Sequence, residues 1–588
     1  MNKKHLTILK AIFGWAFWAS LLAILLFALL VVFTNFQRLT DGIGFGVILA
    51  AVGLVMTLVL LLTLRLCCRH GWRRTFFIFG CFALIVIIFY AEEDLRGWHT
   101  WQQFKQQAEA AGEKLDFASI VPPAVPDEQN FAMAPIVASS YAASLDKNGH
   151  KITPQLTNVV QRLRMNIFRD NDDNWKQQPT NGSWAKATLT DLKAWQIYFS
   201  TPPTNSLTNE FPVPRQPQSA ATDVLFGLSK YDSDIEELRK ASQLPQSRFP
   251  INYDSDIPFA ALLPHLSPLK RCSQALQLRA LAELELGQTD KALDDIRLSL
   301  RLMDSIRSEP FLISHLVRMA QFQITLQPIY EGLARRQFSD VELIKLQAEL
   351  TKFNFLKDCQ SALRGERNSS LATIDYLGRS KSYHKFMMLI SSGFEGEKDE
   401  IRWNLILSST LYWLAPSGWF WSNKALIGEI HQKWTLRVCD PEKHLVSPSI
   451  ANQADSAICS IPRRPANCLA AMLLPALAPA EKKFAYTQSS ADMAMIACAL
   501  ERYRLANKTY PDSLDKLCPQ LLDQIPHDVI NGQPLKYRLS DDGQFLLYSV
   551  GWNEVDDGGK VGLNKAGGSD IKTGDWVWKY PNNGNSKQ

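Results

Sequence analysis

The chain has 588 residues, of which 63 are Lys or Arg and 58 are Asp or Glu. This length predicts several domains, and the composition excludes a globally disordered protein. The basic excess lies at the N-terminus: residues 1–91 have eight basic residues and one acidic residue, a net charge of +7, whereas the remainder has 55 basic and 57 acidic residues, a net charge of −2. Nucleic-acid binding requires a basic surface on the folded body, so no nucleic-acid partner is expected.

Three apolar segments come first in the chain. Residues 11–34 and 43–64 contain no charged residue, and residues 75–91 form a shorter uncharged run. About 20 apolar residues cross a bilayer as a helix, so these segments predict a membrane domain at residues 1–91 with three transmembrane helices. For the third segment, which is at the lower limit of length, an interfacial or buried helix is the alternative.

Basic residues flank these apolar segments unevenly. Three lysines precede the first segment and four arginines lie between the second and the third, whereas the other loop contains Arg38 alone. Because basic loops stay in the cytoplasm, the sequence predicts a multi-pass protein of the cell inner membrane. Its N-terminus would be cytoplasmic and the residues from about 92 extracytoplasmic. The expected partners are the lipid bilayer and other envelope proteins.

The rest of the chain divides by composition. Residues 92–250 are rich in Pro, Asn, Asp and Thr, and they predict a loop-rich extracytoplasmic region. Residues 251–464 carry apolar residues at helical spacing and predict a helical domain. Within it, Gly287 separates two helical runs that form one hairpin of the tetratricopeptide type, with no second copy at the 34-residue period. Ser339 is expected to cap a later helix.

Cysteine spacing argues against a zinc site. Seven of the ten cysteines lie beyond residue 91: Cys272, Cys359, Cys439, Cys459, Cys468, Cys498 and Cys518. They include no CxxC pair and no Cys/His ligand spacing. An oxidising compartment would permit disulfides, but the spacing does not define which cysteines would pair.

Residues 465–588 predict a small α+β module. A helix is expected from about 481 to 507, and YPDSLDKL then starts a second, short helix with Asp512 or Ser513 as its cap. The strand-like runs LKYRL and FLLYSV are joined by SDDG, a hairpin signal. The predicted fold is therefore mostly α, with three N-terminal transmembrane helices, an extracytoplasmic helical region and this module with its long helix and antiparallel strands.

The motifs of this module resemble a known family. The order of a helix, YPDSLDKL, IPHD, GQPLKY, a strand and an Asp/Gly-rich tail resembles the globular part of type II secretion major pseudopilins. The resemblance implies that the tail loop binds calcium, with Asp556 or Asp557, and Asp570, as the corresponding carboxylates. Calcium requires several oxygen ligands, and Asn553, Asp556, Asp557 and Asp570 could supply them together with backbone carbonyls. The methylation leader of that family is absent before the helix, so assembly into a pilus-like filament is not expected.

The stretch LYSVGWNEVDDGG within the module has two interpretations. It is either the turn that ends a strand or, in addition, a calcium loop, because calcium requires several hard oxygen ligands. Its spacing does not fit an EF-hand, since Val555 occupies a ligand position. Acid–base catalysis by Asp556 and Asp557 is disfavoured because no partner base is evident.

No catalytic motif stands out elsewhere in the chain. The sequence contains no GxxxxGK[ST] loop, HExxH or GxSxG. We interpret His527 as a solvated loop histidine, and Glu92, Glu93 and Asp94 as the solvated flank of a membrane helix.

A second resemblance bears on the class of protein. VPDEQNFAMAPI, SEPFLISHLVRMA and CALERYRLANKTYPDSL resemble envelope proteins of the planctomycete–verrucomicrobial type, which implies no activity. The leading hypothesis is a membrane-anchored extracytoplasmic scaffold or interaction protein with no catalytic or cofactor-binding residues assigned. The alternative is an extracytoplasmic hydrolase whose active site is not visible in one sequence.

Overall fold

The computed structural model describes residues 72–140, 162–169, 178–202, 210–380, 414–462, 464–474, 478–565 and 567–581. These residues are mostly helical, with a small β region near the C-terminus. They belong to two compact units, the first of which contains described residues within 72–102, 414–423 and 461–471. The second unit contains the other described residues, including those of the candidate site below.

The helices and strands are numbered in chain order. The α-helices of the described residues are α1 Trp72–Ala110, α2 Pro135–Ala138, α3 Leu192–Ser200, α4 Ala220–Leu228, α5 Asp232–Ala241, α6 Leu266–Glu285, α7 Thr289–Asp304, α8 Leu312–Ala334, α9 Asp340–Leu350, α10 Phe355–Ser380, α11 Ser417–Ile430, α12 Leu436–Val438, α13 Pro448–Cys459, α14 Cys468–Leu473 and α15 Ala478–Asn507. The strands are β1 Cys439–Asp440, β2 Leu445–Val446, β3 Lys536–Leu539, β4 Phe545–Ser549, β5 Val561–Leu563, β6 Ser569–Gly574 and β7 Trp576–Lys579.

The prediction of a multi-pass membrane protein is wrong for the part of the chain that the structure describes. In that part, none of the helices combines the length and the apolar character that a membrane crossing requires. The predicted third span, residues 75–91, has 17 residues, fewer than the roughly 20 required. It continues within α1 into the charged residues Glu92, Glu93 and Asp94. The predicted spans 11–34 and 43–64 lie outside the described residues.

The predicted localisation and the predicted fold class also depended on that membrane domain, and both are corrected. The inner-membrane localisation and the extracytoplasmic placement of the later residues lose their support, since both followed from the spans. The fold class is corrected in the same way, to a mostly helical chain with a C-terminal β region.

In the first unit, acidic side chains of α1 hold the start of α11. The Asp94 carboxylate accepts a hydrogen bond from the Gly418 N–H at 2.7 Å, and the Glu93 carboxylate accepts one from the Trp419 indole at 2.9 Å. The approach is close, because a Cβ on Gly418 would lie 1.9 Å from the Glu93 carbonyl oxygen. Interpreting Glu93 and Asp94 as a solvated flank was therefore wrong: they satisfy donors at a helix N-terminus.

In the second unit, a helical core is built on α6 and α7. Gly287, at φ 72°, makes the tight connection between the two helices, as the sequence predicted. Helix α8 packs against both, and the long helix α15 packs against α8, α9 and α10. Ser339 caps α9 in a capping box with Glu342, which confirms its predicted role.

Residues between α1 and α6 are more tightly packed than their composition indicated. Trp195, Phe131 and Phe249 are almost completely buried, and they belong to one apolar core with residues of α6. Helices α4 and α5 were not predicted, since their short apolar patterns carry little helical signal on their own.

The C-terminal strands form an antiparallel sheet in the order β3-β4-β7. The predicted hairpin is confirmed by the pairing of Tyr537 with Leu547, and β4 also pairs with β7. Ser513, the predicted cap, accepts a hydrogen bond from the Asp515 N–H at the start of a 3-10 turn. The Tyr330 hydroxyl of α8 donates to the Lys579 carbonyl at 2.8 Å, which links the sheet to the helical core.

Candidate functional site

Three of the four predicted calcium ligands share one turn after β4. Within this turn the Asn553 amide donates to the Asp557 carboxylate at 2.9 Å. Asp556 accepts hydrogen bonds from the Tyr548 hydroxyl and the Gly558 N–H, both at 3.0 Å. Asp570 lies on β6, where it accepts from the Lys572 N–H. These side chains are thus engaged with neighbouring protein groups, and the described residues contain no set of three carboxylate, imidazole or thiol groups arranged to hold a metal. Calcium binding stays a prediction.

A carboxylate that was not assigned organises this turn. Asp575 is buried, and it accepts hydrogen bonds from the Asp557 N–H at 3.2 Å and the Gly559 N–H at 2.6 Å. Burial raises the pKa of Asp575, and the two backbone donors counteract this. The Asp/Gly-rich stretch is therefore the turn that follows β4. The buried Asp575 carboxylate fixes the conformation of this turn.

The environment of His527 also differs from the prediction. Its ring is half-buried, its Nε2 is buried, and it packs edge-on against His444 with ring centroids 5.6 Å apart. His444 in turn pairs with Asp492 at 2.8 Å. Interpreting His527 as a solvated histidine was therefore wrong, and these contacts describe a packing role.

A polar cleft of about 350 Å³ is a candidate site in the described part of the chain. It lies between the end of α7, the turn that follows it, residues 245–247 and the first turns of α10. The polar cleft is lined by Pro245, Ser247, Arg301, Asp304, Ser305, Arg307, Ser308, Lys357, Asp358 and Ser361. Its lining combines cations, carboxylates and hydroxyls, the groups from which specific polar recognition is built.

A buried network fixes the turn after α7. The Glu309 carboxylate pairs with His265 Nε2 at 2.7 Å and accepts a hydrogen bond from the Ser314 hydroxyl. The Glu309 carbonyl oxygen lies 3.0 Å from His315 Nε2. Burial lowers the pKa of His315 to about 4, so at neutral pH its ring is uncharged and donates to this carbonyl. Arg307 and Ser308 therefore project from a rigid turn.

Arg318 of α8 lies beneath the polar cleft and binds both of its carboxylates. The guanidinium donates to Asp358 and, at 3.1 Å, to Asp304. Arg318 is fully buried, and its charge lies against the Phe353 and Phe355 rings, at 5.7 and 5.1 Å from their centroids. One buried guanidinium therefore binds both acidic residues of the cleft and offsets one of their two negative charges.

The other cations of the cleft are less fully paired. Arg301 donates to the Ser242 and Leu244 carbonyls at 3.2 and 2.7 Å, and burial lowers the pKa of its guanidinium without a carboxylate bound to it. Arg307 lies 3.4 Å from Asp358, which Arg318 already binds. Within the described chain, Lys357 has an exposed ammonium group with no ion-pair partner. With Arg318 included, four cations lie in or beneath the polar cleft and only two carboxylates do. The electrostatic potential in the cleft is therefore positive.

A buried hydroxyl in the lining has no partner. The Ser247 Oγ atom is inaccessible to solvent, and no hydrogen bond to it is present among the described residues. A buried polar atom without a partner carries a cost of ~1–3 kcal/mol.

A second depression, of about 330 Å³, adjoins the first and shares Arg301 and Asp304 with it. Three of the cations that line it are paired with acids. Arg239 binds Asp295 at 2.8 Å, and Glu349 binds Lys352 at 2.7 Å and Arg297 at 3.4 Å. Each depression has one more cation than acid in its lining, three against two in the polar cleft and four against three here.

Comparisons with known proteins do not assign this site. The chain matches no known protein family, no curated protein and no solved structure at a significant level. The resemblances to major pseudopilins and to envelope proteins therefore stay predictions.

Sequence reasoning missed the cleft because its residues are distant in the chain. One signal was present: Arg318 lies in FLISHLVRMAQF, an otherwise apolar helical stretch, and a charged residue on such a face must find buried partners. The partners themselves, Asp304 and Asp358, could not be chosen from spacing.

Proposed function

We propose that this protein is an interaction protein that acts as a scaffold and docks an acidic segment of a partner protein in the polar cleft. The observation that carries the proposal is the excess of cations at that site. Arg301, Arg307 and Lys357 face a space of about 350 Å³, while buried Arg318 binds both acids beside them and offsets one of their two charges.

The chemistry of the lining supports a carboxylate or phosphate as the group recognised. Guanidinium groups bind such anions through two parallel hydrogen bonds, and lysine adds a point charge. Ser308 supplies a hydroxyl at the same opening. The space is suited to a few acidic side chains rather than to a bulky apolar ligand, since only Pro245 in the lining is apolar.

The hydrolase alternative draws on the same grouping of ionisable residues. It requires a general base or an activated nucleophile. No histidine or cysteine lines the polar cleft, and both carboxylates are bound by Arg318. The Ser305 and Ser361 hydroxyls donate to main-chain carbonyls at 2.6 and 3.2 Å. The lining therefore supports binding better than hydrolysis.

The test uses a fluorescein-labelled hexaglutamate peptide and the full chain, with binding followed by fluorescence anisotropy. We expect binding that weakens as salt rises, because screening reduces attraction between exposed charges. The double variant R307Q/K357Q should bind about tenfold more weakly, which corresponds to losing two partly exposed ion pairs of somewhat under 1 kcal/mol each.

A matched control separates the polar cleft from general surface charge. Lys443 is exposed and pairs with Asp440 within its own turn, so K443Q removes one positive charge outside the cleft. This variant should bind as tightly as the wild type. Equal binding by the wild type and R307Q/K357Q would refute the proposal, and inorganic phosphate should compete with the peptide if anion chemistry is recognised.

A further inference from the structure

Two buried cysteines from distant parts of the chain meet in the second unit. Cys359 lies in the second turn of α10, and Cys439 lies on β1. Their sulfur atoms are 2.9 Å apart, and the two residues are 0% and 1% exposed. Both are thiols in this structure. This separation is well inside the normal contact distance of two non-bonded sulfurs, and it exceeds a disulfide bond by about 0.9 Å.

The surrounding contacts hold the two residues in register. The Gln360 amide donates to the Cys439 carbonyl at 3.0 Å, so the backbone of β1 is tied to α10 beside the sulfurs. Cys439 also pairs with Val446 in the β1–β2 ladder. The two sulfurs thus need to approach by only about 0.9 Å to form the bond.

We propose that Cys359 and Cys439 form a disulfide that joins α10 to β1. The inference is independent of the proposed function. It assigns a pair among the seven cysteines beyond residue 91, a choice that spacing alone left open.

The reaction requires an oxidant, and a low-molecular-weight disulfide of the glutathione class is sufficient. One cysteine thiolate attacks a sulfur of that disulfide, forming a mixed disulfide and releasing one thiolate. The second cysteine then attacks the protein sulfur of the mixed disulfide and releases the other. The two cysteines lose two electrons and two protons in total, and the oxidant is reduced to two thiols.

Burial determines when this exchange occurs. Desolvation raises the pKa of Cys359 well above its ordinary value, and a protonated thiol is a poor nucleophile. We therefore expect the bond to form readily during folding, before the helices close over the sulfurs. Once formed, it should resist reduction in the native state and be reduced quickly in denaturant.

The direct test is peptide mapping of the full chain after refolding in oxidised glutathione. Free thiols are alkylated under denaturing conditions, and the protein is digested with trypsin without reductant. The cleavage sites release Asp358–Arg364 and Val438–Lys443, which contain one cysteine each. We expect these two peptides to be recovered as one linked species. Recovery of both as singly alkylated peptides, or of either linked to another cysteine, would overturn the proposal.

A stability measurement complements the mapping. Closing the chain between residues 359 and 439 restricts the unfolded state, so the oxidised protein should melt several degrees higher than the reduced protein. The variant C359A/C439A should show no such difference, whereas C459A/C468A, which removes two exposed cysteines, should retain it. The reduced sample is prepared by reduction in denaturant and refolding with reductant present. If it melts at the same temperature as the oxidised sample, the bridge is also contradicted, and this measurement does not depend on any variant folding.

Discussion

At the residue scale, Arg318 is the residue on which the architecture of the polar cleft depends most. It is a buried cation with two carboxylate partners, Asp304 and Asp358. Removing one member of a buried ion pair leaves an uncompensated charge, which costs ~3–5 kcal/mol. We therefore expect R318M to lower the free energy of unfolding by about that amount in urea titrations.

Two further variants test the reason for that loss. Arg437 is exposed, so R437M should change stability by less than ~0.5 kcal/mol. Adding D358N to R318M should restore part of the stability, because the charge left behind is removed. If R318M is as stable as R437M, Arg318 does not form the stabilising buried ion pairs with Asp304 and Asp358 that are described above.

A second prediction at this scale concerns Glu481 in the first turn of α15. The side chain is 1% exposed, and burial raises its pKa to about 8, with Asp455 adding to the effect. Between pH 4.5 and 8 the unfolded state ionises at this position while the folded state keeps its proton. The group's stabilising contribution is thus complete below pH 4.5 and is lost as the pH rises toward 8.

The measurement is chemical unfolding across that pH range. The free energy of unfolding of the wild type should fall with rising pH, relative to E481Q, by on the order of a few kcal/mol. E442Q, at an exposed site, should follow the wild type. Parallel curves for the wild type and E481Q would show that Glu481 is ionised in the folded protein.

At the element scale, the sequence predicted correctly those features that depend only on neighbouring residues in the chain. The Ser339 cap, the Gly287 connection and the β3–β4 hairpin each depend on a few neighbouring residues. Helix α4 packs against α3 and α6, and α5 packs against α2, and no local pattern reveals these contacts. The same limit hid the Asp575 carboxylate, whose partners lie 16 and 18 residues earlier in the chain.

The capping box of α9 gives a prediction at this scale. Ser339 Oγ accepts from the Glu342 N–H, and the Glu342 carboxylate accepts from the Ser339 N–H at 2.6 Å. S339A should destabilise the protein by ~1 kcal/mol in thermal or urea unfolding. S460A alters a serine whose hydroxyl donates to the Ala457 carbonyl at a helix end, and it should have a smaller effect. A cost for S339A no larger than that of S460A would contradict the capping role.

The calcium prediction also belongs to this scale. If the turn after β4 binds calcium, Ca²⁺ in excess should raise the melting temperature through preferential binding to the folded state. D556N/D557N should abolish the rise, because it removes both adjacent carboxylates. D541N/D542N alters a similar pair in the β3–β4 hairpin and is the matched control. A melting temperature unaffected by Ca²⁺ would leave the turn with a purely structural role.

At the scale of the whole molecule, the sequence indicated a helical chain with a C-terminal β region, but not how these parts combine. Helix α15 packs against α8, α9 and α10, and the Trp184 ring contacts both Tyr486 and Trp578. The membrane interpretation rested on hydropathy and on the basic residues that flank the apolar segments, and the described part of α1 does not meet the requirements of a span. The polar cleft likewise arises from three separate stretches of chain, so it becomes visible only in the folded molecule.

The central claim is that the polar cleft binds an anionic group. The most direct measurement is anomalous diffraction from crystals of the full chain soaked in tungstate, a heavy oxyanion. We expect a peak beside Arg307 and Lys357, displaced when hexaglutamate peptide is added and absent in R307Q/K357Q. Peaks only at other surfaces, or a peak at the cleft that persists in R307Q/K357Q, would contradict the account.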